Sequence, residues 1–179
     1  MTPVGRLLPM RSLASLVFGI LLVTAHVAHA DALKVGDRLA ELDVAVDANG
    51  KAFKLKSVPG WRVVTIGASW CKPCAKELPT WDKLAPEFKG KVNFVAVNID
   101  DEIDDGKKFN KKLKLQNLKL VYLPADKSAV VAKYGSDNMP TTFIADPQGV
   151  IRYVRAGFEK GDVSGETKKM REQLTKLVK

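Results

Sequence analysis

Two cysteines, Cys71 and Cys74, are the residues best suited to chemistry, and the sequence contains no others. Only Lys72 and Pro73 separate them, which is the C-x-x-C spacing. A pair this close can serve as a structural disulfide, as part of a metal site or as a redox centre. The rest of the sequence indicates which of these uses it favours.

A structural disulfide is the weakest of the three uses, because a bridge that closes so short a loop stabilises a fold little. Zinc and copper sites need more ligands than one C-x-x-C supplies. The only histidines, His26 and His29, lie near the N-terminus, and Met139 and Met170 are the other soft ligands downstream of them. The pattern favours a redox centre, with Cu(I) held by two thiolates as an alternative.

Cys71 is predicted to be the nucleophile of the pair. A buried strand is predicted before it and a helix after it, so free N–H groups and the positive end of the helix dipole face its sulfur. Lys72 adds a positive charge, and such settings stabilise a thiolate. Cys74 lies one helical turn later, where it can attack a mixed disulfide, and Pro73 suits a first helical turn.

The first 30 residues have the layout of a secretory signal peptide. Arg6 and Arg11 form a basic start, residues 13–23 are apolar, and Ala28-His29-Ala30 suits cleavage after Ala30. An uncleaved membrane anchor is the alternative, although the apolar run is short for a spanning helix. Cleavage would remove both arginines, which lowers the formal net charge from +9 to +7, and both histidines. We therefore expect an exported, periplasmic protein without Cys-His catalysis, whose single domain covers residues 31–179.

The basic balance supports nucleic-acid binding only weakly, because an exported protein meets little nucleic acid and acidic residues are interspersed with its lysines. The densest basic run is KKFNKKLKLQ, residues 107–116. We interpret it as the solvated face of an amphipathic helix. A basic surface for an acidic partner or an anionic membrane is the alternative.

Strands and helices alternate along the remaining sequence, after an N-terminal hairpin at 39–55 that turns at Asn49-Gly50. The predicted strands cover residues 61–67, 92–99, 118–124, 141–146 and 150–157. One predicted helix follows the cysteines to Gly90 with a kink at Pro79, and others cover 100–113, 128–135 and 163–179. Strands separated by helices pair in parallel, and the last two form a hairpin. We predict an α/β fold with a central mixed sheet flanked by helices.

The segment WCKPC after a strand resembles the active site of the thioredoxin superfamily. Pro79, five residues after Cys74, matches the helix kink of that superfamily, and Gly157 also matches its pattern. MPTTFIAD, residues 139–146, resembles the segment with the superfamily's cis-proline. The resemblance implies a thioredoxin-like fold with a cis Met139–Pro140 peptide opposite the cysteines; a trans proline that starts an edge strand is the alternative.

Within this superfamily, nearly the whole chain after the signal is similar to the exported TlpA/ResA-like thiol-disulfide oxidoreductases. The N-terminal hairpin, a helix-strand insertion before Pro140 and the position of Glu77 carry the similarity. Thr65 departs from the buried aspartate of cytoplasmic thioredoxins, and Lys72 departs from the small or acidic residue often found there. Glu77 is either a proton acceptor for the second cysteine or a solvated helix carboxylate.

The resemblance implies a protein-disulfide reductase in which Cys71 attacks a client disulfide, Cys74 resolves the intermediate and Glu77 assists proton transfer. The residues that it implies for substrate binding surround the cysteines: Trp70, Lys72, Pro73, Met139, Pro140 and Thr141. No cofactor or metal is needed, because electrons pass from thiol to thiol. Clients in such families are often apocytochrome or copper-site cysteines, and a membrane or exported donor recharges the pair. We expect a monomer.

Three other functions remain alternatives at this stage. A thiol oxidant or isomerase of the same fold would differ in reduction potential, and Lys72 favours oxidant behaviour by stabilising the reduced form. A Cu(I) delivery protein would use the same two sulfurs as ligands. A peroxidase would carry a threonine three residues before its reactive cysteine, and Ala68 at that position argues against it.

Overall fold

A computed structural model of the chain describes residues 32–179, which contain a mixed six-stranded sheet and three α-helices. The strands are β1 (Val46–Asp47), β2 (Trp61–Gly67), β3 (Val92–Asn98), β4 (Lys119–Tyr122), β5 (Thr141–Ala145) and β6 (Ile151–Ala156). The helices are α1 (Cys74–Leu84), α2 (Ile103–Leu113) and α3 (Val163–Leu177). The predicted α/β fold with a mixed sheet is confirmed.

The strand order across the sheet is β1-β4-β3-β2-β5-β6. β2, β3 and β4 are parallel neighbours, joined by α1 and α2 as crossovers, as the alternation of strands and helices predicted. β5 pairs antiparallel with β2 and forms the predicted hairpin with β6. The carboxyl end of β2, where the cysteines follow, therefore lies at the centre of the sheet.

Two hydrophobic clusters cover the opposite faces of the sheet, because alternate residues of each strand point to opposite sides. Val63 belongs to the cluster that includes Trp81 of α1 and Leu174 of α3. Val64 belongs to the other cluster, against which Phe109 of α2 packs. α1 and α3 thus share one face, and their burial holds the helix that carries the second cysteine firmly on the sheet.

α1 continues through Pro79 and gives way to a tighter helical turn after Leu84. Pro79 lies inside the helix, where it cannot donate the usual backbone hydrogen bond. After Leu84 the chain tightens into a 3-10 helix at Ala85–Phe88, which has Pro86 near its start. Gly90 then takes a positive φ of 82°, a conformation that glycine adopts without strain, and the helical segment ends.

The N-terminal hairpin is present, but it is smaller than the sequence predicted. The chain reverses at Gly50, where φ is 79°, and Lys51 O accepts a hydrogen bond from Asp47 N. A single bridge, Val46 to Ala52, joins its two arms. β1 instead pairs antiparallel with β4, because the edge of the main sheet offers more backbone partners than a short isolated hairpin does.

The helix predicted at 128–135 is a short 3-10 helix, Val131–Tyr134, followed by another at Ser136–Asn138. Gly135 between them has φ 69°, which ends the first one. Side chains join this region to the N-terminal segment: Tyr134 donates its hydroxyl hydrogen to Ala40 O, and Asp43 accepts from Ser128 Oγ and from Ala129 N. These contacts hold the chain in place just before the predicted cis-proline.

Of the helices in residues 32–179, none has both the length and the apolar character that a membrane crossing requires. The predicted signal peptide at 1–30 lies outside the described residues. The expected domain boundary before Asp31 therefore stays a prediction.

Candidate functional site

Cys71 and Cys74 form a disulfide at the carboxyl end of β2, with their Cα atoms 5.3 Å apart. Cys71 is 5% exposed and Cys74 is fully buried, so the first cysteine is the one that another molecule can reach. The N–H of Cys74 points at Cys71 Sγ over 3.3 Å. This N–H belongs to the first turn of α1, where the helix dipole favours negative charge, so the site is built to stabilise a thiolate at Cys71.

Gly67, the last residue of β2, lies against the second cysteine. A Cβ atom built there would stand 3.2 Å from Cys74 Sγ and 3.3 Å from Cys74 Cβ, closer than most such contacts. The sequence offered no signal for this role, because Gly67 looked like the ordinary end of a strand. The absence of a side chain at Gly67 makes room for the buried sulfur.

The turn between β2 and Cys71 is anchored from the neighbouring strand. Asp100, just after β3, accepts hydrogen bonds from Ser69 N and from Ser69 Oγ at 2.8–3.1 Å. Asn98 Nδ2 donates to the same carboxylate over 2.8 Å. A Cβ at Gly106 would lie 2.1 Å from Asn98 Oδ1, so only glycine leaves that amide its place beneath α2. Sequence reasoning missed Asp100 as a site residue, although the carboxyl ends of parallel strands share one edge.

The predicted rim of the site is exposed where a client could touch it. Trp70 is 65% exposed, and Lys72 is exposed as well. An exposed tryptophan presents a large flat apolar surface with a polar tip, which suits contact with another protein. Pro73 is half-buried and forms the N-cap of α1, so its role in the structure is to start the helix.

The Met139–Pro140 peptide is cis, as the resemblance predicted. Pro140 comes directly before β5, whose Thr141 pairs with Ile66, so this peptide lies beside the end of β2 and the cysteines that follow it. Met139 is half-buried and packs against the cluster that contains both cysteines. The structure thus brings together two segments about 70 residues apart in the sequence.

Thr141 was predicted to contact the substrate, but its side chain does not lie on the surface. It is buried, and its hydroxyl donates towards Gly135 O over 3.1 Å and Asn138 O over 3.3 Å. Its side chain therefore holds the loop before the cis-proline. Contact with a client through Thr141 would involve its backbone.

Glu77 is fully buried on the face of α1 that packs on the sheet, so the solvated-carboxylate interpretation is wrong. Thr142 Oγ1 donates to Glu77 Oε1 over 2.9 Å, and the hydroxyl of Thr65 lies 2.9 Å from that of Thr142. Burial raises the pKa of Glu77 to about 7, and this rise is limited by the hydrogen bond from Thr142 and by the charge of Arg155. The carboxyl of Glu77, with a pKa near neutrality, is thus buried one helical turn after Cys74.

Thr65 stands where cytoplasmic thioredoxins carry a buried aspartate. Its hydroxyl lies next to that of Thr142, which donates to Glu77, so a buried carboxyl from the helix reaches the same region of the sheet. Thr142 was missed at the sequence level, since only the pairing of Thr65 with Thr142 across β2 and β5 makes it a neighbour. Among residues 32–179, no group of three or more potential metal ligands is close enough to hold an ion.

Comparison with known proteins agrees with this geometry. The model of the AhpC/TSA family matches residues 35–154. The chain is 33% identical over 110 residues to the thioredoxin-like protein YneN of Bacillus subtilis, covering 61% of this chain and 64% of that protein. It is 30% identical over 130 residues to the thiol-disulfide oxidoreductase ResA of Bacillus thuringiensis, covering 71% of this chain and 73% of that one.

A solved structure with the same fold comes from Chlorobium tepidum, where the protein is assigned as the thiol:disulfide interchange protein DsbE. It is 25% identical, has a TM-score of 0.65, and the match covers 80% of this chain and 99% of that one. The chain spans just under two thirds of YneN and nearly three quarters of ResA. The fold, the cysteine spacing and the sequence similarity therefore all indicate the same family of proteins.

Proposed function

Because the chain belongs to the AhpC/TSA family and is a thiol-disulfide oxidoreductase related to ResA, we propose that Cys71 and Cys74 reduce disulfides in exported client proteins. The observation that carries this proposal is the asymmetry of the pair. Cys71 is partly accessible beside an exposed tryptophan, whereas Cys74 is buried one helical turn from a buried carboxyl. One sulfur is placed for attack and the other for resolution.

In the first step the Cys71 thiolate attacks one sulfur of the client disulfide. A Cys71–client mixed disulfide forms, and the other client sulfur leaves as a thiolate. The backbone N–H of Cys74 and the N-terminus of α1 stabilise the attacking thiolate beforehand. A thiolate is required because the protonated thiol is a poor nucleophile.

In the second step Cys74 attacks Cys71, which releases the second client thiolate and leaves the Cys71–Cys74 disulfide seen in this structure. Two electrons have then passed to the client. The Cys74 thiol must lose its proton to attack, and Glu77 accepts it when its carboxyl is ionised. The proton affinity of Glu77, with a pKa of about 7, suits such a transfer near neutral pH.

Clients dock on the surface formed by exposed Trp70 and half-buried Met139, above the buried Pro140, where the peptide backbone next to the cis-proline can pair with an extended client segment. Lys72 beside the nucleophile is exposed and favours clients with acidic residues near their disulfide. The site residues are thus assigned as Cys71, Cys74 and Glu77 for chemistry, and as this surface for binding.

The protein acts as an exported, periplasmic monomer, and a donor in the membrane or the same compartment reduces it again. This proposal follows from the signal-peptide pattern at 1–30 and from the relationship to ResA. Clients with apocytochrome or copper-site cysteines fit the same chemistry. A reduction potential of about −270 mV would support a reductant, whereas one of about −120 mV would identify an oxidant.

A Cys74→Ser variant tests the proposal, because it retains the attacking sulfur and lacks the resolving one. We expect it to accumulate a mixed disulfide between Cys71 and a client, visible on a non-reducing gel and identifiable by mass spectrometry. The Cys71→Ser variant is the matched control and should trap no client. Trapping by Cys71→Ser alone would reverse the roles. Absence of adducts from both, with no disulfide reductase activity in the unaltered protein, would refute the function.

A further inference from the structure

A buried ion pair lies on the same face of the sheet as Glu77. Arg155 of β6 pairs with Glu166 of α3, and only 14% of the arginine side chain and 4% of the glutamate side chain are exposed. Taking two charges out of water is costly, and replacing such a pair by apolar residues often stabilises a protein. Its presence next to the redox site therefore calls for a role other than stability.

Sheet register connects Arg155 to the carboxyl of α1. Arg155 is paired with Thr142, whose hydroxyl donates to Glu77 Oε1. The guanidinium carbon also lies 5.9 Å from the ring centre of Trp81, which is one helical turn after Glu77. Cross-strand neighbours point to the same face, so the charge of Arg155 faces the region between α1 and α3.

Unused hydrogen-bonding atoms mark the space between these side chains. Glu77 Oε2 and Arg155 Nη1 are both buried without a partner among the described residues. Trp81 Nε1, on the same helix face as Glu77, also lacks a partner with good hydrogen-bond geometry, but it lies close enough to Glu77 to lower the pKa of that carboxyl. Buried polar atoms without a partner are rare in folded proteins, and an ordered water is one way in which such atoms are satisfied.

We propose that Arg155 is a positioning residue for the thiol-disulfide exchange, with its charge divided between Glu77 and Glu166, so that α3 controls when Glu77 takes up the proton of Cys74. Arg155 touches neither sulfur and acts through Glu77. This inference rests on the proposed function, since it concerns the proton step of the resolving cysteine.

The charged and titratable groups on this face are few. Cys74 precedes Glu77 on α1, Tyr153 and Arg155 lie on β6, and α3 contributes Glu166 together with Lys169, whose Nζ lies 3.2 Å from Glu166 Oε1. β2 and β5 contribute only the hydroxyls of threonines. In the disulfide form the cysteines do not titrate, so the carboxylates and the two cations set the local field.

The division of charge predicts shifts of opposite sign for two substitutions. Arg155→Gln removes the cation, so the ionised form of Glu77 becomes less favourable. The midpoint of the Glu77 titration then moves up by about one pH unit. Glu166→Gln removes the competing carboxylate, so Arg155 acts on Glu77 alone and the midpoint moves down. Arg155→Lys is the conservative control, because it retains the charge and should leave the midpoint near that of the unaltered protein.

The midpoint is measured on the disulfide form of the whole protein by NMR of side-chain carboxyl carbons labelled in glutamate, between pH 5 and 9. The signal of Glu77 is identified by its loss in Glu77→Gln. Shifts in opposite directions for Arg155→Gln and Glu166→Gln support the proposal. Shifts in the same direction, or no shift in either, would overturn it, because a merely structural pair would affect both variants alike.

The two readouts separate this inference from the proposed function. The pH profile of client-disulfide reduction should move with the Glu77 midpoint in each variant. If the midpoints move as expected while the unaltered protein reduces no disulfide, the electrostatic coupling stands and the reductase function fails. If the protein is an active reductase whose profile ignores the midpoint, the function stands and the positioning role of Arg155 fails. Should Arg155→Gln not fold, the Glu166→Gln measurement still decides the direction.

Discussion

The burial of Glu77 makes the stability of the protein depend on pH in a direction opposite to that of most carboxylates. Burial, the main cause, raises its pKa from 4.5 to about 7 in the folded protein, whereas the unfolded chain exposes the group to water. Replacing it by glutamine retains the shape and removes the charge. Glu77→Gln should therefore gain stability relative to the unaltered protein as the pH rises.

The sign and size follow from proton binding in the two states. Below pH 4.5 the carboxyl is protonated both folded and unfolded, so it contributes no pH dependence. Between pH 4.5 and about 7 the unfolded chain loses this proton and the folded protein keeps it, so the free energy of unfolding falls as pH rises. The gap between the two pKa values corresponds to about 3 kcal/mol, reached in full above pH 7.

Urea denaturation of the disulfide form measures this effect, since the cysteines cannot titrate there. The free energy of unfolding is determined for Glu77→Gln and for the unaltered protein at several values between pH 4 and 8. Their difference should move by about 3 kcal/mol in favour of the variant across this range, because all other titrating groups cancel. A difference that does not change with pH would refute the buried, neutral carboxyl and with it the proton-acceptor role.

Two further predictions concern the support of the cysteines. Gly67→Ala should lower the free energy of unfolding of the disulfide form by about 1–3 kcal/mol, because its Cβ would crowd Cys74 Sγ at 3.2 Å. Gly161→Ala is the control, since a Cβ there meets nothing within 4 Å. An equal loss of stability in both variants would contradict the steric argument. Asp100→Asn should lower the free energy of unfolding, measured by urea denaturation, by about 1–3 kcal/mol and slow client reduction, because Ser69 N and Ser69 Oγ lose a charged acceptor. Asp104→Asn, at an exposed position, is the control. Unchanged stability and rate in Asp100→Asn would show that the turn needs no anchor.

Features of the site that depend on local spacing were predictable from the sequence. The spacing of Cys71 and Cys74 is fixed by the sequence itself, and so is the position of Pro79 within the helix that follows them. The cis peptide at Met139–Pro140 was predicted by resemblance, because its flanking residues form a recognisable segment. The hairpin at Gly50 was predicted in kind, but its arms join by one bridge because β1 pairs with the sheet edge instead.

The sequence by itself determined the C-x-x-C pair, the order of strands and helices and the family, since each can be recognised from residues that are close together in the chain. Only the tertiary structure decided the burial and the proton affinity of Glu77. The helix pattern left open whether its side chain faces water or the core. Its burial, the hydroxyl of Thr142 and the charge of Arg155 come from α1, β5 and β6, three separate elements. Proton affinity depends on which groups surround a carboxyl and on how completely they exclude water, and both are properties of packing between distant segments.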